Sequence, residues 1–206
     1  MPVPYEGTGR TGQKARTREA LVASARRLLA TGVTPTVEQA AIAASIARAT
    51  AYRYFPNQHA LLSATFPELT APSLLGESPP TDPRARLEIV VEAIIGQAVR
   101  HEAALRNLLR LSLEPDPAKR ADLPLRTGRR IIWIADALAP LRDELLSQEL
   151  ERLVVAIAVA VGIDALIWLT DVANLSREQA ADVMRWSARS LLQAALAEAA
   201  GPGQRP

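Results

Sequence analysis

The chain has 206 residues, 49% of them hydrophobic and 22% charged, with no cysteine and a net charge of +2. That length and composition suit one large or two small globular domains with a real core. Absence of cysteine excludes disulfides and thiol chemistry and, with no apolar segment in Met1 to Gly12, leads us to expect a cytoplasmic protein without a signal peptide. The charge is unevenly placed. Residues 1–60 hold eight Arg or Lys against three Glu, a net +5, and the remainder holds 16 against 19, a net −3. A basic head on a mildly acidic body suits a nucleic-acid-binding module attached to a separate domain.

Residues 1–16 are rich in Pro, Gly and basic side chains and read as a flexible basic arm. Arg16 and Arg18 are the cations there most suited to phosphate contact. A first helix is expected from Thr17 to Thr31, closed by Gly32, and Thr34-Pro35-Thr36 is a turn that caps the next helix.

Thr36 to Phe55, TVEQAAIAASIARATAYRYF, reads as two short helices joined by a tight turn. At about 100° per residue, Ala47, Ala51, Tyr54 and Phe55 share one side of the second helix. Arg48, Ala49, Thr50, Tyr52 and Arg53 cover the rest. The first side is small and aromatic and fit for packing. The second is cationic and rich in donors, with Ala49 leaving room for close approach. Arg pairs with guanine edges, Thr reaches bases or methyls, and Tyr and Arg hold phosphates. An ordinary amphipathic surface helix has the same pattern, and chemistry alone does not separate the two.

The order of residues from Thr17 to Thr65 resembles the DNA-binding domain of the TetR family of bacterial transcriptional regulators. The resemblance rests on Leu21-Val22, Ala25, Leu28-Leu29 and Gly32 in helix one and Thr36-Val37 opening helix two. It continues through the turn Ala44-Ser45-Ile46-Ala47, the signature Tyr52-Arg53-Tyr54-Phe55, and a fourth helix from Asn57 to Leu62. It implies Thr36, Arg48, Ala49, Thr50, Tyr52, Arg53 and Tyr54 as DNA contacts. Gln58 stands where the family usually has a basic residue that supports a phosphate contact. Two further departures are Ser45 for the turn glycine, where a left-handed backbone costs more, and Ala47 for the serine cap of helix three, worth about 1 kcal/mol.

Asn57 caps helix four, which Pro67 and Pro72 end, and an irregular connection runs to Pro83. Helices are then expected at Arg84 to Arg100, His101 to Leu113, Leu125 to Leu138 and Ser147 to Thr170, with a loop at Pro115 to Pro124. Asp171 to Leu175 breaks the chain. Ser176 and Gln179 form a capping box that starts a last helix reaching Ala199, and 201–206 reads as a disordered tail. The expected fold is all-α with about nine helices. A three-helix head and linking helix four occupy 17–66, and a larger ligand-binding and dimerisation domain occupies 67–200.

The run Leu153 to Leu169 is nearly all apolar but too short and interrupted for a membrane span. A helix apolar all round is buried. The resemblance implies that 150–170 and 176–198 pair with their copies in a homodimer. Trp133, Asp164, Trp168 and Trp186, edged by Arg106, Asn107, Arg110 or Arg130, are candidates for binding a small-molecule inducer. Each has a plainer reading: tryptophans as core or interface, arginines as ion-pair partners. Asp164 in an apolar helix must be paired, first with an intramolecular arginine, then with a dimer mate, then with a cationic ligand. His59 and His101 lack metal-ligand spacing, no phosphate-binding glycine loop exists, and no enzyme, metal or cofactor is expected. By resemblance the chain is a ligand-responsive homodimeric repressor that places residues 47–55 in the major grooves of a near-palindromic double-stranded operator. The alternative is a helical dimer that binds a small molecule or protein through a body whose DNA-reading head is degraded.

Overall fold

The computed structural model describes residues 6–66, 71–113 and 128–201, all of whose regular elements are helical. The described residues form two compact units, 6–66 with 110–113, and 71–109 with 128–201.

In the first unit, α1 (Glu6–Ala30), α2 (Val37–Ala43), α3 (Arg48–Tyr54) and α4 (Gln58–Thr65) enclose one small core. Leu21, Val22 and Ala25 from α1 meet Val37, Ala40 and Ala41 of α2, Ala51 and Phe55 at α3, and Leu61 of α4. The 3–4 spacing along α1 sets which face turns inward. Two side chains bind α1 to its neighbours. The buried Ser24 hydroxyl donates to the Ala40 carbonyl at 2.7 Å, and Arg26 Nε donates to the Thr65 carbonyl at 2.6 Å.

α1 begins at Glu6, not at Thr17, so residues 6–16 are helical where a flexible arm was expected. Gly7, Gly9 and Gly12 each disfavour helix by about 1 kcal/mol. Gln13 to Arg16 favour it, and the Thr17 hydroxyl bonds back to the Gln13 carbonyl at 3.0 Å. The last proline before the helix is Pro4.

The turn between α2 and α3 is fixed at both ends. Thr36 is the cap expected at the start of α2: its Oγ1 accepts from the Gln39 amide at 3.1 Å, and Gln39 Oε1 accepts in return from the Thr36 amide at 2.8 Å. At its end the Ile46 amide reaches the Ala41 carbonyl (2.9 Å) and the Ser45 amide the Ile42 carbonyl (3.0 Å). That is a Schellman closure, and it requires the left-handed residue, Ser45 with φ 55°. Ala47 differs from expectation. It is the exposed residue preceding α3, with no side-chain cap, and does not join the packed side with Ala51 and Phe55.

In the second unit, α5 (Pro83–Arg100) packs on α7 (Arg129–Ala137) and on α10 (Arg177–Ala200), which also packs on α8 (Ser147–Ala160). α6 is Glu102–Ser112, and α9 (Ile163–Ile167) continues into a π-helical turn, Trp168–Val172. Asp82 caps α5 and Pro83 fills its first turn, where no amide partner is needed. Val90, Leu108, Trp133, Ile134, Ile157, Leu166 and Met184 are buried. Arg86 holds the end of α7, donating to the Asp136 and Ala137 carbonyls at 2.8 and 2.9 Å.

One expected helix is two. Ser147 to Thr170 breaks after Ala160, where Val161 is extended and Gly162 has φ 107°. The helix expected from Leu125 starts at Arg129. Residues 125–127, the loop Pro115 to Pro124 and the tail beyond Gly201 lie outside the described residues. Ser176 and Gln179 form the expected reciprocal cap of α10. No single described helix is long and apolar enough to cross a membrane; α8 and the segment Ile163–Val172 meet that test only together, across a 44° bend.

Candidate nucleic-acid interface

α3 is a short helix with one anchored side. Ala51 is buried, and Tyr54 lies half-buried against the core. The anchor sends Arg48, Ala49, Tyr52 and Arg53 into solvent, with Thr50 at the margin. Arg48 is 66% exposed at its side chain, sits 5.6 Å from the Tyr52 ring centre and pairs with Glu38 of α2 at 3.3 Å. Arg53 lies 5.9 Å from the Tyr54 ring centre. Cation–π contact limits the rotamers of both arginines while leaving their donors in water.

The other candidate contacts differ in freedom. Arg16 is exposed on α1. The Arg18 guanidinium lies 5.4 Å over the Phe55 ring. Thr36 presents its hydroxyl at the start of α2, already accepting the Gln39 amide. Gln58 is not free: its Nε2 donates to the Pro35 carbonyl at 3.0 Å and ties α4 to the turn before α2.

The residues proposed for ligand binding have different surroundings. Trp133 is buried, and its indole N–H donates to the Ala71 carbonyl at 2.7 Å. Asp164 pairs with Arg130 at 2.7 Å, the first of the three partners considered for it. Trp168 is 64% exposed, and Arg110 is exposed on α6. Arg106 is committed to acids, bonding Glu102 at 2.9 Å and Asp171 through both terminal nitrogens at 2.6 and 2.8 Å. Arg177 of α10 closes the cluster on Glu102 at 2.6 Å.

Residue types alone had hidden one participant. Glu38 was counted only as charge, yet it pairs with Arg48. Arg130, named at the edge of the expected pocket, supports the break at Gly162. The signal for Glu38 was its place in the first turn of α2, where a carboxylate suits the helix end and the next helix begins a few residues on.

The acidic cluster makes stability pH-dependent. Hydrogen bonds from Arg106, then Thr170, hold the Asp171 carboxyl down at about 2, and the bond from Arg177 lowers Glu102. A folded-state pKa below its unfolded value stabilises above the unfolded pKa and loses that contribution as pH falls through the folded one. Asp171→Asn should melt below the parent at neutral pH, and the gap should close between about pH 4 and about pH 2. A gap unchanged over that range would remove ionisation of Asp171 as its origin.

No family model and no curated protein sequence matches the chain. Among solved structures it is similar to a TetR transcriptional regulator from Rhodococcus sp. RHA1, with a TM-score of 0.52 and 21% identity, over 86% of this chain and 96% of that one. The helices, their order and the helix-turn-helix head are thus those of the TetR fold, as the residues from Thr17 to Thr65 led us to expect.

Proposed function

We propose that the chain is a DNA-binding transcriptional regulator, a homodimeric repressor that reads a near-palindromic operator through α3 and releases it when a small molecule binds the second unit. The observation that carries this reading is the display of Arg48, Tyr52 and Arg53 on a helix whose opposite side is locked into the head by Ala51 and whose approach is fixed by the capped turn. A helix in this setting places two cations and a phenol where base edges and phosphates are met. Arg16, Arg18, Thr36, Ala49, Thr50 and Tyr54 are proposed to support it on the backbone, in the cytoplasm.

Dimerisation is supported by apolar exposure on the elements expected to pair. In the single chain, Val155 and Val159 of α8, Trp168 and Val172 of the π turn, and Val183 and Trp186 of α10 all face solvent. Tryptophans of this kind are frequent interface anchors, each worth about 2 kcal/mol or more. Trp186→Arg should halve the mass measured by light scattering without lowering helicity. Retention of the parent mass would move the interface elsewhere.

The first test is fluorescence anisotropy with DNA from upstream of the chain's own gene, against a scrambled duplex, across a range of salt. Tight binding that discriminates between them is expected. Equal and steeply salt-dependent binding to both would leave only a basic head on phosphate. No binding at low salt by a folded dimer would favour a body that binds partners through a degraded head, a reading kept open by uncapped Ala47, left-handed Ser45 and tethered Gln58.

A further inference from the structure

Between α5 and α10 lies an open cavity of about 520 Å³. Its size falls within the range of small-molecule sites, about 300–1,000 Å³. Leu87 and Val91 of α5 and Ala188 and Leu192 of α10 close its base, all of them buried. One side of this wall is electrostatically settled: Arg185 is bonded to Glu92 and, at 2.7 Å, to Asp182. Arg84, Glu88 and Arg189 are different. All three line the cavity and are exposed, and none has a side-chain hydrogen bond or ion pair among the described residues. Two uncommitted guanidinium groups therefore stand against one uncommitted carboxylate above an apolar base.

From this juxtaposition we infer that the groove between α5 and α10 is a binding site for an amphipathic organic anion, with its carboxylate at Arg84 and Arg189 and its hydrocarbon part toward Leu87, Val91 and Leu192. Charge complementarity selects the anion, because a neutral or cationic head leaves both guanidinium groups without a partner and meets only Glu88. Apolar lining selects a hydrocarbon body over a small inorganic ion. On α10, Arg189 stands three residues beyond Trp186 and so borders the face proposed for pairing, while Arg84 and Glu88 lie on α5, outside the elements proposed to pair. The inference rests on the reading above only in making the bound molecule the effector; binding itself depends on the groove alone.

Calorimetry of the full chain with octanoate, octan-1-ol and octylammonium tests it. Octanoate should saturate at one molecule per chain and bind more tightly than either analogue. The double variant R84Q/R189Q, folded by circular dichroism, should lose roughly ten- to a hundredfold in octanoate affinity, as expected for charge-assisted hydrogen bonds. Glu88→Gln removes the opposing carboxylate and should tighten octanoate severalfold, a gain that a merely structural role would not produce. Equal affinity for octanol, octanoate binding undiminished in R84Q/R189Q, or no binding at millimolar octanoate would each overturn the site. Titrating operator DNA in the same samples separates the two readings. Octanoate bound in the groove with DNA affinity unchanged would sink the effector role and leave the site. DNA held by a chain that ignores octanoate would sink the site and leave the regulator.

Discussion

Replacing Arg48 by alanine should weaken binding to the preferred duplex by roughly 1–3 kcal/mol and flatten the preference at one base position, the loss expected for a bidentate arginine–guanine pair. Arg48 opens α3 with its side chain 66% exposed, and its one ion pair among the described residues is to Glu38, 3.3 Å away and itself nearly half exposed. A pair so open to water is worth about 0–1 kcal/mol, so exchanging Glu38 for a guanine edge is favourable. On the proposed reading Glu38 would do two things: hold Arg48 near the position from which it meets a base, and place a negative charge beside the surface proposed to meet phosphate. Glu38→Gln should therefore raise affinity for scrambled DNA and reduce the ratio between operator and scramble, opposite in sign to Arg48→Ala on the operator. Anisotropy on a set of single-base operator variants decides between roles. A loss on Arg48→Ala that is uniform over all variants would make Arg48 a phosphate contact and leave base reading to Thr50, Tyr52 and Arg53.

The head was legible in the sequence because its determinants are local. Thr36 and Asn57 cap the helices that follow them, as their positions implied, each accepting from the amide three residues on; Ser176 with Gln179 does the same in the second unit. The apolar pairs of α1 gave the packed face for the same reason. What escaped was set by residues far apart in the chain. Trp133 is core and Arg106 an ion-pair partner, as their plainer readings had it, but the particular partners, Ala71 for the one and Glu102 and Asp171 for the other, could not be read from type. The cavity between α5 and α10 has a base of Leu, Val and Ala positions that read as ordinary core and a rim of Arg and Glu positions that read as solvated helix surface. Gly162 was seen as an interruption, but a glycine within a helix costs only about 1 kcal/mol, so the periodic apolar pattern argued for continuity. The break depends on a partner in another helix.

That dependence leads to the largest stability effect we expect. Gly162 has φ 107° and ψ −168°, a region open essentially to glycine alone, where another residue costs about 1–3 kcal/mol. Space is also lacking: a Cβ there would lie 2.4 Å from Arg130 Nη1 and 3.0 Å from Arg130 Cδ. The Arg130 guanidinium sits under the break because three acceptors converge on it, the carbonyls of Ala158 (3.0 Å) and Val161 at the end of α8 and the Asp164 carboxylate (2.7 Å) in α9. If the guanidinium moves aside for the new Cβ, those carbonyls lose their donor and Asp164 its counter-charge. Gly162→Ala should thus cost about 3 kcal/mol or more by chemical denaturation, a large share of the roughly 5–15 kcal/mol that holds a domain folded. Arg130→Ala should also destabilise, since it removes the same donors. In the double variant the steric term vanishes and the donors are lost only once, so the combined cost should fall short of the sum by about 1 kcal/mol or more. Simple additivity would mean that Arg130 and Gly162 act independently and that backbone strain alone explains the glycine.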